Sequence, residues 1–356
     1  MRSVFVSSTG KGAGQSLLVW SLAWKSKILG LKTGFFKPYG ISAETKERGS
    51  LDPDAILMRQ VLGLEETADM LCPFVYPERA PEKELDLDRA SLLEKIRIQY
   101  GVVSRDKELM IIMGPGRIFF ETSALGIPDM TLINRFQSPV LLIDRYQDAS
   151  TSVYSILAVH SLLKERLISV VINRIALKEM SRIRHRIIPY LREKGVALWA
   201  GIPEDSLINS LTMREVKEIL RGATAWGEEK EGNLVVDFTI SSSYLGGPLG
   251  LFRRIPQKII LLGLDPRKSA GSEGSKFVTG ILLTGGRRPG DIVVETAAEE
   301  GIPLIVIPGD TFTAMESLER AVVDPKWGDT LKMNRFVEFL EQETSIERFI
   351  KTLMEG

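Results

Sequence analysis

The chain has 356 residues, 44% hydrophobic and 26% charged, a balance that suits globular domains and excludes a disordered chain. Lysine plus arginine and aspartate plus glutamate number 46 each, so no net field draws the protein to nucleic acid or to an anionic membrane. Cys72 is the single cysteine, and the two histidines, His160 and His185, have no partner at ligand spacing. A disulfide framework, a cysteine-cluster metal site and a histidine–zinc centre are excluded with them. The length suffices for two domains, each with its own core. No secretory pattern opens the chain, and no apolar run approaches the roughly 20 residues that span a bilayer. A cytoplasmic protein with no membrane and no nucleic-acid partner is expected.

Residues 2–7 read as a short buried strand, followed by a glycine-rich segment and a helix that starts near Gln15 with Leu17, Leu18, Trp20, Leu22, Ala23 and Trp24. Residues 32–38 read as a second strand ended by Pro38. Strand-like apolar runs recur at 109–113, 140–143, 169–173 and 197–202, with helical patterns between several of them. Such alternation is the mark of a doubly wound, mainly parallel sheet. The charged run within 225–233 is the best candidate for a surface connection, and a domain boundary is expected between 205 and 235. Strands restart at 234–238, 258–264, 280–283 and 304–307, residues 265–276 read as an exposed loop, and one last helix is expected over 332–351.

Ser7-Ser8-Thr9-Gly10-Lys11-Gly12-Ala13-Gly14-Gln15-Ser16 lies between an apolar strand and an apolar helix, where a phosphate loop belongs. Glycines let successive N–H groups turn inward, and the helix start adds partial positive charge. A working P-loop ends Gly-Lys-Ser/Thr, its lysine reaching the β/γ-phosphates and its hydroxyl reaching Mg²⁺. Here Gly14 and Ser16 are in place, but Gln15 occupies the lysine position. A glutamine can donate to a phosphate oxygen but carries no charge, and a charge-assisted bond is roughly twice as strong. Lys11 either folds back to restore the charge or is a solvated loop lysine. The loop itself is either an anion cradle or a plain strand-to-helix turn.

The loop, its helix and Gly34-Phe35-Phe36-Lys37-Pro38 together resemble the dethiobiotin synthetase-like branch of P-loop proteins. That branch also holds the cobyrinic acid a,c-diamide synthases and the N-terminal domain of long phosphate acetyltransferases. The resemblance places Lys37-Pro38 at the active site, and it makes Asp54 a Mg²⁺ ligand, with Asp52 as the neighbouring alternative. In the family a third strand ends in Glu-Gly, whereas this chain has Met113-Gly114. A thioether is no ligand for Mg²⁺, which takes oxygen donors. Glu121, seven residues beyond Gly114, is the substitute to consider. Asn173-Arg174 resembles the family's strand-end Asn-Arg, whose amide can pair with adenine; the alternative for Asn173 is a turn cap. Gly201-Ile202-Pro203 resembles the segment beside the base.

Further along, the segment 252–258, then Leu283-Thr284-Gly285-Gly286 with Pro289, then Pro308-Gly309-Asp310-Thr311 resemble a DRTGG domain. Its namesake segment is weak here, at Gly263-Leu264-Asp265-Pro266-Arg267. Thr284-Gly285-Gly286, beside Arg287 and Arg288, reads either as an anion-binding turn or as a tight turn.

These resemblances imply an α/β protein: a P-loop NTPase-like doubly wound, mainly parallel sheet over residues 1–210, a smaller α/β DRTGG-type domain over 211–325, and a C-terminal helical tail over 326–356. The implied ligand is ATP or ADP with Mg²⁺. Nucleotide would lie on Gly10, Gly12, Ala13, Gly14, Gln15, Ser16, Asn173, Arg174 and Pro203. Ser16 and Asp54 would hold the metal, and Lys37 and Lys11 would be catalytic. Three functions stay open: a nucleotide-binding regulatory or sensor protein with impaired catalysis, an ATP- and Mg-dependent ligase, and a dimerisation module with an empty pocket. Relatives of both domains commonly pair, so a homodimer is expected. Acetyltransferase activity is not.

Overall fold

The computed structural model describes residues 1–42, 51–77, 88–118, 127–240, 259–262, 278–319, 321, 329–342 and 344–355. The chain divides into two compact units, one of Met1–Asp205 with Asp324–Gly356 and one of Ser206–Val323. The segment 326–356, expected as a separate tail, is therefore part of the first unit.

In the first unit β1 (Arg2–Ser8) is buried from Val4 onward and leads through the glycine loop into α1 (Gln15–Ile28). The helix starts where the sequence predicts because Gly14, at φ 93°, turns the chain in a way L side chains resist. A Cβ at Gly14 would also strike the Asn173 amide. After α1 come β2 (Thr33–Phe36), β3 (Gly40–Ser42) and α2 (Pro53–Leu62). Asp52 caps α2 by accepting from the Ala55 N–H at 3.0 Å, Pro53 takes the first turn, and left-handed Gly63 ends the helix. There follow α3 (Ala68–Leu71), β4 (Val75–Pro77), α4 (Arg89–Val103), β5 (Leu109–Arg117), α5 (Asp129–Phe136), β6 (Val140–Arg145), α6 (Ala149–Leu163), β7 (Leu167–Ile175), α7 (Met180–Arg182), α8 (Ile188–Glu193) and β8 (Leu198–Pro203).

Six strands form one sheet in the order β2-β5-β1-β6-β7-β8, and every neighbouring pair is parallel. A parallel sheet covered on both faces needs continuous apolar runs rather than alternation, and β2 and the body of β6 are buried at successive positions. The chain steps from β1 to one side, into β5 and β2, and later to the other side, into β6, β7 and β8. The carboxyl end of β1 is thus the switch point at which open α/β sheets bind ligands. Parallel direction brings the glycine loop, Gly114, Asp144-Arg145, Asn173-Arg174 and Pro203 to that same edge.

The second unit contains β9 (Leu211–Thr212), α9 (Met213–Ile219), β10 (Ala223–Trp226), β11 (Leu234–Val235), β12 (Phe238–Thr239), β13 (Ile259–Leu262), β14 (Gly280–Leu283), α10 (Asp291–Glu299), β15 (Leu304–Val306) and α11 (Thr311–Glu319). Its sheet runs β10-β15-β14-β13-β12, with β14 and β15 parallel and the other pairs antiparallel. One core layer includes Met213, Val216, Leu282 and Ile305, and another includes Ile281, Leu283, Val293 and Leu304. The stretch 225–233 is not a connection between domains. It begins inside β10, where Trp226 pairs with Leu304, and it carries Glu231, a buried carboxylate held by Lys217, Arg214 and Thr224. A charge run reads as solvated surface, and here one of its members is the hub of a part-buried network. The strand expected at 234–238 is split between two sheets, β11 pairing with β9 and β12 with β13. The segments 252–258 and 263–276, which carried part of the resemblance and the expected loop, lie outside the described residues.

The last helix is two, α12 (Thr330–Glu341) and α13 (Ile346–Glu355). Between them the Thr344 carbonyl turns aside to accept from Trp199 Nε1 at 2.9 Å, and Phe349 stacks on the Trp199 ring. Ile346, Ile350 and Leu353 face the core at helical spacing. Among the described residues no helix is long and apolar enough to cross a membrane.

Candidate functional site

The glycine loop is held from outside, carbonyl by carbonyl. Arg145 Nη1 donates to the Lys11 carbonyl at 2.5 Å, Arg174 Nη1 to Gly12 at 3.2 Å, and Asn173 Nδ2 to Ala13 at 2.7 Å. The Gly14 carbonyl accepts from Leu18 N–H inside α1. At the loop's entrance Thr9 Oγ1 donates to Asp144 Oδ1 at 2.6 Å and accepts from the Arg145 N–H at 3.1 Å. Left-handed glycines stand at Gly12 and Gly14, the kind of backbone from which successive N–H groups can converge on an anion. No acidic residue occupies the first turn of α1 behind them.

Gln15 faces elsewhere. Its Nε2 donates to the Val6 carbonyl at 2.8 Å and to the Gly114 carbonyl at 2.9 Å. Both amide hydrogens are used to tie the ends of β1 and β5 together. Beside this bridge Ser7 Oγ donates to Asp129 Oδ2, and a Cβ at Gly114 would run into the same carboxylate. Burial pushes the Asp129 carboxyl up to about 6, against the opposing effect of the Ser7 hydrogen bond. Met113 is buried, consistent with packing rather than metal ligation.

Lys37 follows β2 and is buried between two carboxylates, its Nζ 2.8 Å from Asp52 Oδ2 and 2.7 Å from Asp54 Oδ2. Burial alone would lower this ammonium, but the fields of Asp54 and Asp52 outweigh it and hold Lys37 above its ordinary value. Asp54, expected to ligate Mg²⁺, is therefore neutralised by an ammonium, and among the described residues no group of three or more His, Cys, Asp or Glu could hold a metal ion. Of the two residues expected to hold Mg²⁺, Asp54 thus has its carboxylate engaged by Lys37. Cys72 is buried, and burial pushes its thiol up, away from the thiolate form.

Asn173 was expected to pair with a base or to cap a turn. Its Nδ2 supports the loop at Ala13 and its Oδ1 accepts from the Arg174 N–H at 2.8 Å, which leaves the amide one further hydrogen and one lone pair. Arg174 has φ 64°, an uncommon left-handed position for a side chain with a Cβ. Pro203 ends β8, in register with Ile175. Glu121 lies outside the described residues. In the second unit Gly285 and Gly286 donate their N–H groups to the Gly309 and Ile307 carbonyls, which ties this segment to the end of β15 and engages two donors that an anion would need.

Sequence reasoning missed Thr9, Asp129, Asp144 and Arg145. A signal for Arg145 was present: Ile143-Asp144-Arg145 and Ile172-Asn173-Arg174 repeat one pattern on adjacent strands, with Arg145 in register with Asn173.

Residues 2–210 match the AAA domain family, and residues 215–321 match the DRTGG domain. Over 346 residues the chain is 25% identical to the phosphate acetyltransferase of Nitratidesulfovibrio vulgaris, an alignment covering 89% of this chain and 46% of that protein. The chain thus spans about half the length of that relative. Among solved structures it is similar to the MinD cell division protein of Aquifex aeolicus, at 15% identity and a TM-score of 0.32 over 58% of this chain and 83% of that one. It is also similar to the septum site-determining protein MinD of Pyrococcus horikoshii, solved with Mg-ADP, at 14% identity and a TM-score of 0.33 over 58% and 83%.

Proposed function

This chain belongs to the AAA domain family, and on that premise we propose that its first unit binds an adenine nucleotide and acts as a nucleotide sensor rather than by phosphoryl transfer. The observation that carries this reading is the loop whose Lys11, Gly12 and Ala13 carbonyls are all engaged by side chains, at the start of α1 where backbone N–H groups are free to bind an anion in P-loop folds. Impaired catalysis is the other half of the proposal. Gln15 brings no charge and its amide is engaged with Val6 and Gly114, Met113 offers no hard ligand, and Asp54 is paired with Lys37. Losing one charged group where transition-state charge develops lowers rate by about a hundredfold or more. The pairing of Lys37 with two carboxylates weighs in the same direction against the ligase alternative.

The test is a thermal-shift titration of the full chain with ATP, ADP and AMP. A ligand at a hundredfold its Kd stabilises by about 2.7 kcal/mol. ADP and ATP should both raise the melting temperature, and ATP should remain intact over hours. No shift with any of the three at millimolar concentration overturns the nucleotide reading, and steady phosphate release overturns the sensor half.

Gln15→Lys gives a second expected result. A lysine at this position restores the group that reads the terminal phosphates, so ATP should bind about tenfold tighter relative to ADP. An unchanged ATP-to-ADP ratio would mean that the side chain stays on the Val6 and Gly114 carbonyls.

A further inference from the structure

Holding a backbone carbonyl needs no charge, as Asn173 shows at Ala13. At Lys11 and Gly12 the same task falls to two guanidiniums, each with five donors of which one is engaged by the loop. Among the described residues neither Arg145 nor Arg174 has a carboxylate within ion-pair distance. Burial and the neighbouring Arg145 both hold the Arg174 guanidinium below its ordinary value, and the field of Glu204 offsets them only in part. Two like charges thus stand on adjacent strand ends, Arg174 in a left-handed backbone position, both donating to carbonyls of the glycine loop. An anion would relieve that repulsion.

We propose that Arg145 and Arg174 supply the positive charge for the phosphate chain of an adenine nucleotide, in place of the lysine missing from position 15. The proposal rests on the nucleotide-binding reading above. It makes the site a clamp for a nucleoside diphosphate or triphosphate: the planar guanidinium forks suit phosphate oxygens, and both lie against the glycine loop with donors to spare. The nucleoside alone gains nothing from them.

The experiment measures ADP, pyrophosphate and adenosine binding by calorimetry on the full chain and on its Arg145→Gln and Arg174→Gln variants. Glutamine keeps a donor for the loop carbonyl and removes the charge. Each variant should bind ADP and pyrophosphate about tenfold more weakly, the scale of losing a charged hydrogen bond, with adenosine affinity unchanged. The salt dependence of ADP binding should fall with each charge removed, as screening predicts. Arg145→Lys and Arg174→Lys keep the charge and should keep that salt dependence, which covers the case of a glutamine variant that folds poorly. ADP affinity equal to wild type in both glutamine variants overturns the arginine assignment and leaves the nucleotide reading standing. An equal loss for adenosine and ADP also overturns it, because the arginines then act only by shaping the loop. Failure of the unaltered protein to bind ADP or ATP at millimolar concentration removes the reading beneath it.

Discussion

Lys37→Met lowers the stability of the first unit by about 3–5 kcal/mol at neutral pH, the scale of breaking a buried ion pair from one side. The ammonium is the group that compensates Asp52, which is 1% exposed, and it compensates Asp54 as well. Without it two carboxylates face each other in a medium that solvates neither, and the Asp52 carboxylate keeps the bond from the Ala55 N–H. The Asp52 carboxyl, which burial already pushes up, then favours the protonated form in the folded state. Protonation relieves the strain, so the deficit against the unaltered protein should shrink as pH falls from 7 toward 5. Lys37→Met with Asp54→Asn should recover part of the loss. Urea unfolding at the two pH values measures all of this, and a loss below about 1 kcal/mol, the scale of an exposed pair, would mean that Lys37 is solvent-exposed. Lys37 is also a candidate catalytic residue, so activity in any Lys37 variant has meaning only beside its stability.

Asp129→Asn should stabilise the protein at pH 7 and flatten its dependence on pH. The Asp129 carboxyl titrates at about 6 in the folded chain and near 3.9 in the unfolded one. Between those values the folded state holds the proton more tightly. This group's stabilisation is therefore fully present below about pH 4 and is lost as pH rises through about 6. Two pH units correspond to about 3 kcal/mol. Asparagine carries no charge at any of these pH values, and the Ser7 hydroxyl can rotate to accept where it now donates. The difference in unfolding free energy between variant and wild type should grow from pH 4 to pH 7. Parallel stability profiles would show that Asp129 is solvated or paired by something other than Ser7.

The backbone plan was legible because it rests on local signals. Gly14 before an apolar helix, apolar runs at 140–143 and 169–173, and Pro38 after β2 each have one structural answer. The first unit's parallel sheet follows from them. The chemistry of Gln15 was legible as a missing charge, yet where its amide points depends on Val6 and Gly114, the second of which lies 99 residues away. Lys37 and Asp54 were singled out from the sequence, but their mutual neutralisation is a fact of three dimensions. Asp129 was overlooked because an aspartate after Pro128 at a helix start reads as a surface residue, and its burial comes from the contact with Ser7, 122 residues distant. Glu231 misled for the same reason.

The first unit is interrupted in sequence. Its opening strand meets its closing helix where Arg2 donates to the Met354 carbonyl at 3.2 Å, and α12 and α13 cover α1. A ribosome makes residues 206–323 before it makes these two helices. The nascent sheet must therefore wait with one flank of α1 uncovered, while the second unit has its whole sequence to hand. Refolding of the first unit should accordingly be the slower of the two, since it joins the most distant parts of the chain.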